Sequence, residues 1–257
     1  MAFDTHCHLD ATEFEVDRDA VVARARVAGV RQMLVPAVTL VGCKAVQACA
    51  ARYAEVLPAY GLHPLYVEAA PADALTQLAD AVRQQRPVAI GEIGLDAWRD
   101  HPPLDVQMHW FVAQLELARR EELPVVLHLR HAVEAVCQTL RAHPVPGGFA
   151  HAFNGSRQQA DMLIQQGFAL GFGGALTYPG STRIRRLASE LPLSAIVLET
   201  DAPDMAPVWL RQADAQAQWN EPAQLPRIAV ELAALRGMPV ERLLEITTAN
   251  AERVLGR

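Results

Sequence analysis

The feature that most restricts the fold of this chain is a regular alternation of short apolar runs with helical segments. Eight runs have the length and composition of β-strands, at residues 2–6, 32–38, 57–63, 88–93, 125–129, 148–153, 168–173 and 195–200. Strands that alternate with helices form a parallel sheet covered by helices. Eight repeats predict a closed (β/α)8 barrel of the TIM type, and 257 residues suit a single barrel domain spanning residues 1–257.

The segments between the runs show helical periodicity where the pattern is long enough to test. Behind Pro102 and Pro103, which favour a helix start, apolar residues recur at spacings of four and three. These residues are Leu104, Met108, Phe111, Leu115 and Ala118. Further helices are predicted over residues 41–53, 222–236 and 240–246. Residues 203–219 lack clear periodicity and predict a long loop over the barrel mouth.

A carboxylate, Glu92, lies near the end of the apolar run at residues 87–96. Burying an ionised carboxylate is costly unless a cation or hydrogen-bond donors compensate it. The segment has few cationic side chains, so the more specific hypothesis is that a metal ion compensates the charge of Glu92. The alternative is a strand-end glutamate that caps the next helix or faces solvent.

Polar residues also follow the other predicted strands. In (β/α)8 enzymes, the chemistry is carried by residues at the C-terminal ends of the strands. Such residues follow strands one, four, five, six and eight: His6, His8, Glu92, His128, His151 and Asp201. One histidine in such a position is usually an ordinary core residue, but chance rarely brings this whole set to the same end of a barrel. The sequence therefore predicts a metal centre there.

This set of side chains is too large for one tetrahedral ion and suits two divalent ions that share a ligand. The first ion is predicted to bind His6, His8 and Asp201, the second His128 and His151, and both Glu92. A water or hydroxide between the ions is the predicted nucleophile, and Asp201 orients or deprotonates it. The ligand types favour Zn, Mn, Co or Ni, and Mg is a further candidate for supporting activity.

Four further residues are predicted around these ligands. His63, at the end of strand three, is predicted at the substrate or leaving group, which makes it the third catalytic residue beside Asp201 and Glu92; helix capping is the alternative. Arg130 clamps a phosphate oxygen or forms a salt bridge behind the ligands. Asp4 and Glu199 lie deeper on strands one and eight, where carboxylates orient ligand imidazoles, and Glu199 is also a candidate catalytic acid. The remaining histidines are predicted at the surface: His101, His109, His131 and His143.

A second candidate phosphate contact follows strand seven. The segment at residues 173–182 is rich in Gly, Ser and Thr and precedes a helix with Arg183, Arg185 and Arg186. Phosphate often binds at a helix N-terminus in this part of a barrel. The alternative is an ordinary Ser/Thr helix cap followed by a solvated arginine face.

Composition excludes several other classes of protein. The net charge of −6 gives no general attraction for polyanions, so any phosphate contact must be local. The four cysteines show neither a CxxC pair nor the spacing of a disulfide framework. No apolar run reaches 18 residues, and polar residues interrupt the N-terminus before a signal-peptide core. We therefore predict a cytoplasmic protein without a membrane segment or an obligate protein partner.

Taken together, the motifs resemble those of the TatD-related metal-dependent hydrolases, often called TatD DNases, within the amidohydrolase-like barrel superfamily. They occur in family order along the chain: FDTHCHLD from Phe3, GLHP from Gly61, GEIGLD from Gly91, HLR from His128, HAFNGS from His151, ETDAP from Glu199 and NEPAQLP from Asn220. GGALTYP and ETDAPDM are most similar to the YjjV-like branch. The resemblance implies the same metal ligands, a substrate-site role for His63, and hydrolysis of phosphodiester bonds in DNA, commonly from the 3′ end.

Three functions are compatible with these residues. The leading hypothesis is a metal-dependent phosphodiesterase acting on DNA or on a small phosphodiester. The same two ions also suit hydrolysis of a small ester, lactone, amide or aminoacyl ester, because the barrel alone does not fix the bond that is cleaved. The third hypothesis is a catalytically silent metal- or nucleotide-binding protein, and the complete ligand set argues against it.

Overall fold

Eight parallel strands form a sheet in which each strand pairs with the next in chain order. The computed structural model describes residues 1–98, 101–213 and 219–257. The strands are β1 (Ala2–Asp4), β2 (Val30–Pro36), β3 (Val56–Tyr60), β4 (Ala89–Asp96), β5 (Val125–Arg130), β6 (Gly148–Ala150), β7 (Phe168–Phe172) and β8 (Ile196–Leu198). The backbone N–H of Thr5 donates to the Leu198 carbonyl at 3.0 Å and brings β1 against β8. The predicted (β/α)8 barrel is confirmed.

Helices that follow the strands cover the outside of the barrel. They are α1 (Arg18–Val27), α2 (Leu40–Arg52), α3 (Ala74–Gln85), α4 (Leu104–Arg120), α5 (Val133–Ala142), α6 (Arg157–Gln165), α7 (Thr182–Glu190), α8 (Val208–Ala213), α9 (Leu225–Arg236) and α10 (Val240–Val254). Helix α8 occupies part of the predicted loop, and residues 214–218 of that loop lie outside the described residues. Helix α10 continues beyond its predicted end at residue 246 because Asn250 and Ala251 are buried. Among the described residues, no helix has the length and apolar character needed to cross a membrane.

Apolar side chains fill the barrel interior behind the polar strand ends. Each strand contributes to this cluster, which includes Phe3, Leu34, Leu57, Ala89, Val126, Phe149, Ala169 and Val197. Residues near the end of α10, including Val254 and Leu255, pack against it. A larger apolar cluster joins the barrel to the surrounding helices. Because the interior is a packed core, the polar residues can gather only at the C-terminal ends of the strands.

Six of the strands end earlier than the sequence predicts, and two of them, β1 and β6, end just before predicted metal ligands. β1 ends at Asp4 and β6 at Ala150, rather than at residues 6 and 153. Close to these ends and to that of β8, Ala152 and Asp201 adopt left-handed backbone conformations, with φ of 45° and 56°. Such values are uncommon for residues other than glycine and turn the chain out of the strand. The candidate site residues therefore lie partly in tight turns just beyond the strands.

Strand β4 differs in the other direction and continues to Asp96. Its pairing with β5 shifts between Ile90 and Ile93, which marks a β-bulge around Glu92. A bulge bends a strand locally and re-aims its side chains. Beyond the bulge the pairing resumes and places Asp96 opposite Arg130. Strand β4 thus supplies two buried carboxylates, Glu92 and Asp96, at the barrel mouth.

Candidate metal centre

Four donor atoms from the ends of β1, β4 and β8 converge in what we call the first donor group. Nε2 of His6 lies 3.2 Å from Nε2 of His8, 3.3 Å from Oε2 of Glu92 and 3.5 Å from Oδ1 of Asp201. Nε2 of His8 lies 3.6 Å from the same Glu92 oxygen and 3.7 Å from the same Asp201 oxygen. A tetrahedral ion with bonds of about 2.1 Å holds its ligands roughly 3.4 Å apart. The donor atoms of His6, His8 and Asp201 therefore have the mutual spacing that one divalent ion requires, and Oε2 of Glu92 lies beside both histidines.

We call Glu92, His63 and His128 the second donor group. Glu92 contributes its other oxygen, Oε1, to this group. Oε1 of Glu92 lies 2.8 Å from Nδ1 of His128 and 3.5 Å from Nε2 of His63. The ring of His63 lies 4.4 Å from that of His128, closer than the 6.2 Å between His128 and His151. The structure thus places His63 nearer to the predicted second ion than the sequence suggested. One carboxylate faces both groups, as a bridging ligand must.

His151 lies between the two groups. Its ring stacks on His6 with centroids 3.8 Å apart, and its Nε2 lies 3.7 Å from Oδ2 of Asp201. Asp201 therefore also divides its oxygens, with Oδ1 towards His6 and His8 and Oδ2 towards His151. The structure brings together every side chain that the sequence singled out as a metal ligand.

Burial keeps two of the imidazoles neutral. It lowers the pKa of His6 well below its ordinary value and also lowers that of His63. Burial would raise the pKa of Glu92, but His63 and His6 outweigh it and hold that pKa well below the usual range. Neutral imidazole and ionised carboxylate are the forms that bind a metal ion. His6 and Glu92 therefore fit a divalent cation in the protonation states that they already hold.

Glu199 lies directly behind His151. Its Oε1 accepts a hydrogen bond from the Ala152 N–H at 2.6 Å and lies 3.2 Å from Nδ1 of His151. Burial opposes protonation of His151, but Asp201 and Glu199 outweigh it and raise its pKa to about 10. A metal would displace the proton on Nε2, while a carboxylate that holds the proton on Nδ1 fixes the orientation of the ring. Glu199 therefore orients His151 with Nε2 towards the site.

Gly171 on β7 makes room for Glu199. A Cβ atom at this position would lie 2.0 Å from Oε2 of Glu199. We expect Gly171→Ala to displace that side chain, weaken metal binding about 10-fold or more and destabilise the fold by about 1–3 kcal/mol, since overpacking in a paired strand cannot relax. Unfolding and metal titration measure both effects. When Glu199 is already replaced by alanine, adding Gly171→Ala should cost little further stability. If the stability losses of the two single variants simply add in the double variant, the side chains do not clash.

Asp96 was not predicted as a site residue, yet it lies within hydrogen-bond distance of a ligand histidine. Its Oδ2 lies 2.8 Å from Nε2 of His128, and its Oδ1 accepts the Trp98 N–H at 2.9 Å. Burial would raise its pKa, but His128 and the Trp98 N–H hold that pKa well below the usual range. A proton kept on Nε2 of His128 leaves Nδ1, the atom facing Glu92, for a metal. Its position four residues after Glu92 on one strand was the signal that could have revealed it.

We expect Asp96→Asn to weaken metal binding at the second donor group by about 10- to 100-fold. The amide oxygen of the asparagine still accepts the hydrogen bond from the Trp98 N–H. Its NH2 group then faces Nε2 of His128, and because it donates rather than accepts, it cannot hold a proton on that nitrogen. Competition with a chelator measures the affinity at each position. Asp105→Asn, at an exposed position in the first turn of α4, is the matched control. Equal affinities in the wild type and Asp96→Asn would show that Asp96 does not select the ring nitrogen.

Asp4 links β1 to β8, and its hydrogen bonds among the described residues do not include one to a ligand ring. Its carboxylate accepts hydrogen bonds from the N–H and hydroxyl of Thr200 at 2.9 and 2.5 Å, and from the His6 N–H at 3.3 Å. Nδ1 of His6 is buried and has no hydrogen-bond partner among the described residues. Asp4 therefore positions His6 through the backbone, whereas the sequence predicted a contact with the imidazole.

Three of the four arginines that were predicted as candidate phosphate contacts have other partners. Arg130 is exposed, with its guanidinium 4.5 Å from the ring centre of Trp98. Arg183 donates to Oδ1 of Asn154 at 2.9 Å, and Arg185 donates to a backbone carbonyl of the loop after β7 at 2.7 Å. Helix α7 begins without a side-chain cap, so the predicted Ser/Thr cap is not formed.

Two histidines predicted at the surface belong to the rim of the site. Nδ1 of His101 lies 2.9 Å from Oδ1 of Asp96, and the ring of His131 lies 4.8 Å from that of Trp98. Both contacts depend on the loop after β4, which carries Trp98 and His101. The sequence has no periodic signal in this loop, so these contacts were not predictable.

Comparison with known proteins adds four findings. A family model described as TatD related DNase matches residues 3–256. The chain is 39% identical over 250 residues to YjjV of Escherichia coli strain K12, described as an uncharacterized metal-dependent hydrolase, covering 96% of this chain and 95% of that protein. It is 35% identical to a Klebsiella pneumoniae protein named 3′-5′ ssDNA/RNA exonuclease TatD, covering 99% and 97%. The crystal structure of E. coli YjjV aligns with a TM-score of 0.93 at 36% identity, covering 100% and 98%.

Proposed function

The chain belongs to the TatD-related DNase family and is a metal-dependent hydrolase, and from this premise we propose that it hydrolyses phosphodiester bonds in single-stranded DNA, acting from the 3′ end. The proposal rests on the position of Glu92, which directs one carboxylate oxygen to the first donor group and the other to the second. Paired ions that share a ligand clamp the attacking and leaving oxygens of a phosphate displacement. The name of the Klebsiella relative supports the same reaction and polarity.

We assign the ligands of the two ions as His6, His8, Asp201 and Glu92 for one, and Glu92, His128 and His151 for the other. The donor types favour Zn, Mn, Co or Ni, and Mg remains a candidate for activity. When bound, two such ions would polarise the phosphate and lower the pKa of a nearby water.

Asp201 is the proposed proton acceptor. Burial raises its pKa to about 6, and Glu92 adds to this rise, while His151 and His8 oppose it. A carboxylate with such a pKa accepts a proton from water more readily than an ordinary aspartate does near neutral pH. Its Oδ1 belongs to the first donor group, so the carboxylate would lie beside a water held there.

His63 is the proposed hydrogen-bond donor to the substrate. Its Nδ1 accepts the Leu65 N–H at 3.2 Å, so the neutral ring carries its hydrogen on Nε2. That atom points into the site, 3.5 Å from Oε1 of Glu92. A neutral N–H in this position donates to a phosphate oxygen or to the leaving oxygen.

The proposal is tested with a 5′-labelled single-stranded oligonucleotide and protein loaded separately with Mn, Zn, Co, Ni or Mg. We expect progressive shortening from the 3′ end. Esters, lactones, amides and aminoacyl esters are assayed beside it. Turnover of one of these, without DNA cleavage under any metal, would replace the proposed reaction by the alternative hydrolysis.

Salt provides a further check on the substrate. With a net charge of −6 and only a few candidate arginines near the mouth among the described residues, we expect at most two or three phosphate contacts. Each contact on single strands contributes about 0.7 to the slope of log affinity against log salt, so the slope should be roughly −1 to −2. A small uncharged ester should show almost no slope. A much steeper slope on DNA would indicate a basic surface that we have not assigned.

A further inference from the structure

A large aromatic side chain lies half exposed at the rim of the candidate metal centre. Trp98, in the loop after β4, leaves 47% of its surface open to solvent. The Arg130 guanidinium lies 4.5 Å from its ring centre, and the His131 ring lies 4.8 Å away. A half-exposed tryptophan offers a flat apolar face to a ligand, and a cation beside an aromatic ring is attracted by its electron-rich face.

This aromatic surface is fixed relative to the donor groups. Asp96 accepts the Trp98 N–H through Oδ1, while its Oδ2 lies 2.8 Å from Nε2 of His128. The Ala97 N–H donates to the Arg130 carbonyl at 3.0 Å, which ties the loop to the end of β5. One carboxylate thus separates the backbone of Trp98 from a proposed metal ligand. The segment that carries the indole is therefore joined to a proposed metal ligand through Asp96.

We propose that Trp98 and Arg130 form a stacking subsite that binds an unpaired nucleobase next to the scissile phosphate. This inference rests on the proposed function and specifies how that function selects its substrate. Flat aromatic bases stack on tryptophan whatever their sequence, and arginine adds a cation–π contact and attraction for the neighbouring phosphate. Tyr66, which is also 47% exposed and lies 5.9 Å from the His63 ring, extends the aromatic rim on the side of β3.

The subsite has a consequence for substrate choice. A base can reach the indole only after it leaves the stack of a duplex, so single strands and frayed ends should be preferred. Since every base has an aromatic face, the preference should depend little on sequence. An ester without an aromatic group would gain nothing from Trp98.

The test combines a change in the protein with a change in the substrate. Wild type, Trp98→Ala and Trp98→Phe are assayed on a single-stranded oligonucleotide and on the same strand with an abasic nucleotide at its 3′ end. We expect Trp98→Ala to raise KM about 10-fold on the normal strand and to have little effect on the abasic strand. Trp98→Phe, which keeps an aromatic face, should retain most of the wild-type affinity. Metal content should be the same in all three proteins.

Trp209→Ala is the matched control. The Arg227 guanidinium lies 4.1 Å from the ring centre of Trp209, so this tryptophan also has an arginine partner. Its indole N–H donates a hydrogen bond to Oε1 of Gln224 at 2.9 Å and does not link it to the donor groups. Its KM should be that of the wild type.

Three outcomes would overturn the subsite. Equal losses for Trp98→Ala on the normal and abasic strands would show that the indole does not contact a base. A change in oligomeric state on Trp98→Ala, without the base-dependent loss, would assign the surface to a second copy of the chain. A wild type that cleaves neither strand would instead refute the proposed function, and the subsite with it.

Discussion

Replacing Glu92 by glutamine is expected to remove most of the bound metal and to lower kcat/KM by several orders of magnitude. The two oxygens of the wild-type carboxylate lie 3.3 Å from Nε2 of His6 and 2.8 Å from Nδ1 of His128. An amide has no charge and presents an NH2 group to one of the two donor groups, so both ions lose attraction and one loses a ligand. Since metal activation of water supplies much of the catalysis, the rate should fall with metal content.

Elemental analysis, chelator competition and steady-state kinetics measure this result together. Glu241→Gln, an exposed glutamate in the first turn of α10, is the matched control and should change neither metal content nor rate. Circular dichroism should show the same fold in both variants, because glutamine has the shape of glutamate. Wild-type metal content and rate in Glu92→Gln would show that this residue is not the shared ligand.

Asp201→Asn should lower kcat by about 100- to 10,000-fold, the contribution expected of a positioned general base. The amide keeps an oxygen for the first donor group, but it cannot accept a proton from water. The Glu92 and His128 pair is untouched, so at least one ion should stay bound and KM should change less than kcat. This separation of metal content from rate distinguishes the second variant from Glu92→Gln.

Excess metal decides between the two roles of Asp201. If Asp201 acts as a base, saturation with Mn or Zn should leave Asp201→Asn slow. Full recovery of the rate at high metal concentration would mean that Asp201 serves only as a ligand. Asp204→Asn, at an exposed position three residues further along the chain, is a suitable control for the loop after β8.

The fold and the candidate ligands were predictable because they follow from periodicity. Eight alternating repeats predict a barrel, and a barrel brings residues such as His128 and Asp201 to one end whatever the loops do. His6 and His8 were predicted to bind the same ion, and their Nε2 atoms lie 3.2 Å apart. Strand β1 ends at Asp4, so both histidines lie in the segment that follows the strand.

The surroundings of the ligands were less predictable because they depend on turns and loops. Asp96 escaped notice since the predicted strand ended at residue 93, whereas the bulge at Glu92 lets β4 continue to Asp96. The left-handed conformation of Ala152 has no signal in the residue type, so β6 was predicted too long. The contact of Trp98 with Arg130 joins two loops, and neither sequence pattern nor strand register fixes it.

The first donor group spans the seam between the first and last strands of the barrel. Along this seam the Asp201 N–H donates to the His6 carbonyl at 2.8 Å, and the His8 N–H donates to the Ala202 carbonyl at 2.7 Å. A chain that grows from its N-terminus carries both histidines early, but it lacks Asp201 until nearly the whole barrel has been synthesised. An ion in this group binds only when β8 has docked, so its binding free energy also favours the closed barrel over open forms. A bound metal ion would therefore stabilise the contact between the first and last strands and so the completed barrel.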